Sequence, residues 1–174
     1  MVGIVRRIDE LGRIVIPKEM RKTMRLQVGD EMEIFASDEG LTLKRYSGFQ
    51  RALPSCRALS KALADKANAD VLILSANEVV LCEGKNKKHY RGARLTSEFS
   101  NIIRNRNVEF LEGESLCKIF ENLDCDGSVF LSEPVLSGGD FVGCIALVSN
   151  EAITDVQRDY LHFCAELISA ILSE

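Results

Sequence analysis

The sequence predicts an α+β protein in two parts: a β-β-α-β-β module over residues 1–48 that forms an intertwined dimer, then an antiparallel sheet flanked by helices over residues 51–174. Charge, periodicity and size point there. Seven lysines and arginines crowd residues 1–28 against three acids, while the other 146 residues carry fifteen bases and twenty-three acids. A basic segment on a chain of net charge −4 is a local surface suited to phosphate, not a property of the whole protein. Short β-branched runs fill the first part, whereas helical stripes open and close the second. A unit this small, with no disulfide or metal staple, buries too little apolar surface alone. Two chains are therefore expected to complete one core, with hairpins contributed by both.

The elements follow in order. Residues 2–9 (VGIVRRID) read as a strand, Asp9-Glu10-Leu11-Gly12 as a turn, and Arg13–Ile16 as a second strand. Pro17 stops that strand, since it has no N–H for a ladder, and suits the first position of a helix. From Lys18 to Leu26, Met20 and Met24 make an apolar stripe while Lys18, Arg21, Lys22 and Arg25 share another face. Gly29-Asp30 ends this helix. Strands at Glu31–Ala36 and Leu41–Tyr46 meet across Ser37-Asp38-Glu39-Gly40.

Residues 47–50 read as a junction. A helix over Arg51–Asn68 places Ala52, Cys56, Leu59, Leu63 and Ala67 on one side, with Pro54 in its first turn. Strands at Val71–Ala76 and Val79–Glu83 flank a tight turn at Asn77-Glu78. A basic loop (Lys85, Lys87, Lys88, His89, Arg91, Arg94) precedes a helix at Ser97–Arg104. Gly127–Leu136 and Asp140–Ser149 form a hairpin across Ser137-Gly138-Gly139. The last helix starts at the N-cap Thr154 and runs to Ser173. Its stripe of Val156, Tyr160, Cys164, Leu167 and Ile171 has near-heptad spacing, with apolar width for partner helices.

The apolar runs are far shorter than the ~20 residues of a membrane helix, and the N-terminal residues do not read as a signal peptide. A cytoplasmic, nucleoid-associated protein is expected. Six cysteines lack Cys-x-x-Cys spacing and read as small apolar residues rather than disulfides or metal ligands. His89 and Cys82 are two possible ligands, too few for a metal site. Neither a metal nor a cofactor is expected.

The segment from Gly3 through Thr23, reading GIVRRIDELGRIVIPKEMRKT, followed by Gly29-Asp-Glu-Met-Glu-Ile-Phe, resembles the swapped-hairpin DNA-binding domain of the AbrB-type transition-state regulators. The overall layout resembles members of that family that act in sporulation and carry a second domain of GAF type. The resemblance implies a DNA-binding transcription regulator with contacts from Arg6, Arg13, Arg21 and Lys22. At the fourth position a lysine stands where the related regulator has an arginine; it keeps the charge but loses the planar fork for guanine. Arg7, Lys18 and Arg25 join the set on charge and helix geometry. Double-stranded DNA is the expected partner, with a homodimer through the first domain and a homotetramer through terminal helices of the second.

The second domain is expected to oligomerise and to sense a small-molecule effector. The basic loop at 85–94 is a place for an anionic one. Gly84-Lys85 lacks the rest of a phosphate loop. Two other readings compete. A cysteine reductase of GAF type would use Cys82, Cys117 or Cys125, yet none has the basic neighbour or paired spacing of an activated thiol. An antitoxin would share the first domain but continue into a disordered tail, where this chain has strand and helix periodicity. No enzymatic activity is expected.

Overall fold

The computed structural model describes residues 3–24, 26, 32–46 and 48–173, the side chain of Arg45 excepted. The chain divides into two compact units, Met1–Tyr46 and Ser47–Glu174. Among the described residues no helix is long and apolar enough to cross a membrane.

In the first unit, helix α1 (Lys18–Met24) follows the buried Pro17, and strands β1 (Met32–Ser37) and β2 (Gly40–Arg45) form an antiparallel hairpin. Its register sets Ile34 against Leu43 and Ala36 against Leu41, which gathers the apolar side chains on one face. The segments expected as the first two strands join no ladder within one chain. Ile4, Val5, Ile8, Leu11, Ile14 and Val15 are 47–89% exposed, and among the described residues no strand of the same chain pairs with these segments. Ile34 and Leu41 on the hairpin are similarly exposed, at 63% and 61%. The stretch at Gly29-Asp30, expected to end the helix, lies outside the described residues.

The second unit is built on a five-stranded antiparallel sheet in the order β4-β3-β7-β6-β5, with β3 at Asp70–Leu74, β4 at Val79–Glu83, β5 at Glu109–Glu112, β6 at Val129–Ser137 and β7 at Asp140–Ser149. Alternation along β3 assigns the two faces. Val71 and Ile73 point to one core with Phe49, Cys56, Leu63, Leu147 and Ile168; Leu72 and Leu74 point to the other with Tyr90, Phe99, Ile103 and Phe130. Helices α2 (Leu53–Ala67) and α5 (Asp155–Leu172) cover the first face. Helices α3 (Lys87–Tyr90) and α4 (Ser97–Ile103), with a 3-10 helix at Gly113–Lys118, contribute to the second. The termini of α5 follow from local chemistry: the Thr154 hydroxyl accepts from the Gln157 N–H, and the Gln157 side chain accepts from the Thr154 N–H at 2.8 Å.

Three local readings change. Strand β3 stops at Leu74, because Ser75 closes a four-residue turn: its N–H donates to the Glu78 carbonyl at 2.9 Å and its hydroxyl accepts from the Glu78 N–H at 3.2 Å. Strand β5 is a short edge strand whose four residues, Glu-Phe-Leu-Glu, gave no turn-bounded run to detect. Third, Phe49, within the stretch read as a junction, is fully buried in the first core. Gly143 on β7 makes the room. A Cβ there would stand 2.6 Å from the Phe49 ring and 2.0 Å from the Leu74 carbonyl oxygen.

Replacing Phe49 by alanine empties a buried ring site, and large-to-small changes of this kind cost about 3–5 kcal/mol. Urea unfolding followed by far-UV circular dichroism should show this loss for F49A and a much smaller one for F49L.

Candidate nucleic-acid interface

The basic residues of the first unit are set out by one acid and one proline. Asp9 closes the loop before the second basic stretch. Its Oδ1 accepts from the backbone N–H groups of Leu11 (3.0 Å) and Arg13 (2.8 Å), its Oδ2 accepts from the Arg13 Nε at 2.8 Å, and its own N–H donates to the Arg13 carbonyl. Gly12, at φ +75°, makes the return possible and donates to the Asp9 carbonyl at 2.9 Å. The Arg13 side chain remains 69% exposed while its Nε is held. Asp9 thus engages Arg13, and Arg6 donates to the neighbouring Val5 carbonyl at 3.2 Å.

Pro17 supplies the carbonyl that accepts the Arg21 N–H at 2.9 Å, starting α1. Glu19 sits in the first turn and Arg21 and Lys22 in the last, matching the helix dipole. Lys18, Arg21 and Lys22 are all exposed and adjacent at i, i+3 and i+4. No residue of α1 is buried. Thus α1 brings together Lys18, Arg21 and Lys22, the turn holds Arg13, and Arg6 and Arg7 are exposed but in no regular element. Arg25, the seventh site residue, lies outside the described residues. Asp9 is the site organiser that sequence reasoning missed. The readable signal was an aspartate followed at three residues by glycine and at four by arginine.

In the second unit the expected basic loop is partly helical, with Lys87, Lys88 and His89 inside α3. His89 Nε2 lies 2.9 Å from the Asp124 carbonyl oxygen, and His162 Nδ1 lies 3.4 Å from the buried Glu133. Among the described residues no group of three or more His, Cys, Asp or Glu is arranged to hold a metal ion. Burial disfavours the thiolate form at two of the three candidate cysteines. Burial, then the nearby Asp70 and Glu83 charges, push Cys82 up to about 12. Burial likewise pushes Cys125 up to about 11, against a smaller opposing effect of the Tyr90 hydroxyl 3.8 Å away. Cys117 is exposed and donates to the Glu114 carbonyl at 2.6 Å.

Residues 56–173 match the family described as stage V sporulation protein T C-terminal, transcription factor. This chain belongs to the stage V sporulation protein T family. It is 31% identical over 150 residues to stage V sporulation protein T of Bacillus subtilis (strain 168), covering 86% of this chain and 84% of that protein. Residues 5–51 match the family described as antidote-toxin recognition MazE, bacterial antitoxin. Over 44 residues the chain is also 52% identical to transition state regulatory protein AbrB of the same organism, which covers 25% of this chain and 46% of that one. The second unit has the GAF fold. A solved structure of the blue-light absorbing form of the Thermosynechococcus elongatus PixJ GAF domain covers 71% of this chain and 88% of its own, with a TM-score of 0.52 at 12% identity. Membership of the sporulation protein T family makes this a transcription factor with an AbrB-like DNA-binding domain. It favours that reading over an antitoxin, since the MazE-like match ends where the GAF-like unit takes over.

The Arg13 N–H and guanidinium hold the Asp9 carboxyl below the ordinary carboxylate range. A lowered folded-state pKa contributes stability above the unfolded value of ~3.9 and loses it as pH falls through the folded one. The turn should therefore stay closed at neutral and mildly acidic pH and open only in stronger acid. The Arg13 amide resonance, followed by NMR from pH 7 to pH 2, should move only at that acid end, and should be displaced at every pH in Asp9→Ala.

Proposed function

We propose that the chain regulates sporulation genes, as activator or repressor, by sequence-selective binding of double-stranded DNA. Residues 1–48 are the DNA-binding domain and residues 51–174 the GAF-like domain for oligomerisation and effector sensing. Arg6, Arg7, Arg13, Lys18, Arg21, Lys22 and Arg25 make the DNA contacts, and the protein works in the cytoplasm on the nucleoid. It is not an enzyme. The observation that carries the reading is the pairing of two features in one small unit: a cluster of exposed bases, and a set of apolar side chains left uncovered in a single chain. A second copy, exchanging the segment 3–16 against its partner's hairpin, supplies the missing ladder and core, and doubles the basic surface on a two-fold axis.

Helix α5 favours a further level of assembly. Leu161, Cys164, Ala165 and Ile168 are buried against the chain's own sheet. Val156, Tyr160, Phe163 and Ile171 lie on the neighbouring stripe and are 56%, 38%, 57% and 36% exposed. Cys164 thus belongs to the internal stripe and Leu167 is half-buried, while Val156, Tyr160 and Ile171 of the near-heptad set are free to meet a second α5. Pairing through hairpins in one domain and α5 in the other gives a homotetramer when the two contacts join different chains. An effector that shifts the second domains against each other changes the spacing of the basic surfaces and hence DNA affinity.

Chromatin mapping with wild type and Arg13→Ala tests the DNA reading: occupancy should collapse at specific sites in the variant. In vitro, affinity should fall steeply with salt, and loss of one phosphate contact should lower the log–log salt slope by about 1. Unchanged occupancy would remove Arg13 from the interface. For assembly, sedimentation velocity of V156K/F163K should give dimers in place of tetramers; an unaltered tetramer would exclude the α5 contact.

A further inference from the structure

Where α2 ends beside the turn after β4, the second unit carries a cavity of about 400 Å³ whose rim includes Lys61, Lys85 and Lys87. Two buried acids shape this rim. Asp70, 5% exposed, accepts from the Asn86 backbone N–H and from its side-chain amide, both at 2.9 Å. These two hydrogen bonds to one carboxylate fix the loop between Lys85 and Lys87. Gly84, at φ +135°, is needed for it, since a Cβ would stand 2.2 Å from the Asp70 Oδ1. Glu83, 7% exposed, lies 2.9 Å from the Arg57 Nη1 and 4.0 Å from the Lys87 Nζ.

The cations on this rim are incompletely matched. Arg57 is the close partner of Glu83, so Lys87 at 4.0 Å holds only the outer limit of an ion pair. Lys85 donates to a neutral acceptor, the Asn68 Oδ1, at 3.0 Å. Lys61 has no ion pair among the described residues, although Asp65 lies one turn further along α2. The negative end of α2 is occupied internally, because the Ala64 carbonyl accepts from the N–H groups of Asn68 and Ala69. Three ammonium groups around one small cavity are point charges suited to a compact dianion, whereas planar carboxylates select arginine forks. Ala64 and Ala69 give the cavity an apolar wall, and Asp65 an acceptor for a hydroxyl or amine.

We infer that this cavity is an effector site for a small phosphate monoester, with Lys61, Lys85 and Lys87 on the phosphoryl group and the organic part against Ala64, Ala69 and Asp65. The inference rests on the sensing role proposed above and gives it a place and a ligand class. The site lies on the α2 side of the sheet, away from the aromatic cluster of Tyr90, Phe99, Phe120 and Phe130 that fills the other face.

The test is an NMR titration of the full-length protein with inorganic phosphate, at constant ionic strength set with sodium chloride. The amides of Asn68, Gly84 and Lys85 should shift with a saturating curve in the millimolar range. Lys61→Ala and Lys85→Ala should each weaken it about tenfold while leaving the melting temperature unchanged. Shifts confined to residues 6–24, or shifts at Gly84 that persist in the K61A/K85A protein, would overturn the site. Operator affinity measured in parallel separates the two ideas. Saturable binding at Gly84 without change in DNA affinity would uphold the site and refute the sensing role.

Discussion

The first unit leaves many of its apolar residues exposed within one chain, and the assembly proposed above rests on that deficit. Folding a short segment costs about 1–2 kcal/mol of backbone entropy per residue, which must be offset by burial. Ile4, Val5, Ile8, Leu11, Ile14 and Val15 gain only part of it within one chain, and so does the apolar face of the β1–β2 hairpin. What a lone chain can form is local: the Asp9–Arg13 turn, the short helix after Pro17 and the hairpin. All three are held by contacts between near neighbours in sequence. In the dimer proposed above a second copy covers the rest, which makes the basic surface and the association of chains one folding problem rather than two.

The second unit meets the same requirement alone. Its central strands β3 and β7 are buried on both sides, and its helices give each face of the sheet a separate core. Self-sufficiency on one side and dependence on the other suit a regulator. In the proposed assembly the second unit supplies a fixed frame, while the first, completed by a partner, is sensitive to how partners are arranged. Helix α5 shows both tendencies at once, with one stripe closed onto its own sheet and the next left open.

Much of this was legible in the sequence because it rests on period and on turn chemistry. Pro17, the Ser37–Gly40 turn, the Thr154 cap and the β6–β7 hairpin were each readable from a few residues. The charge asymmetry located the basic face on its own. What escaped was long-range or conditional. The first two strands have strand composition, but a ladder requires a partner that composition cannot display in one chain. Phe49 looked like part of a junction because its pocket is made by Gly143, ninety-four positions later. Asp9 read only as part of a turn, whereas its carboxylate takes both the Arg13 amide and the Arg13 Nε. In the last helix the near-heptad spacing was real, yet spacing alone could not assign Cys164 to the internal stripe and Phe163 to the outer one.

The burial of Phe49 has a consequence for how such two-part regulators are recombined. The side chain just after the DNA-binding module belongs to the other domain's core, so the natural seam lies ahead of it and not behind. A graft made at Arg51 would separate Phe49 from Gly143, leaving one recipient with an unfilled slot in its sheet and the other with an orphaned ring. Recombination that respects the seam carries Gly48 and Phe49 along with the sheet. The Phe49 ring and the glycine that makes room for it then stay in the same half.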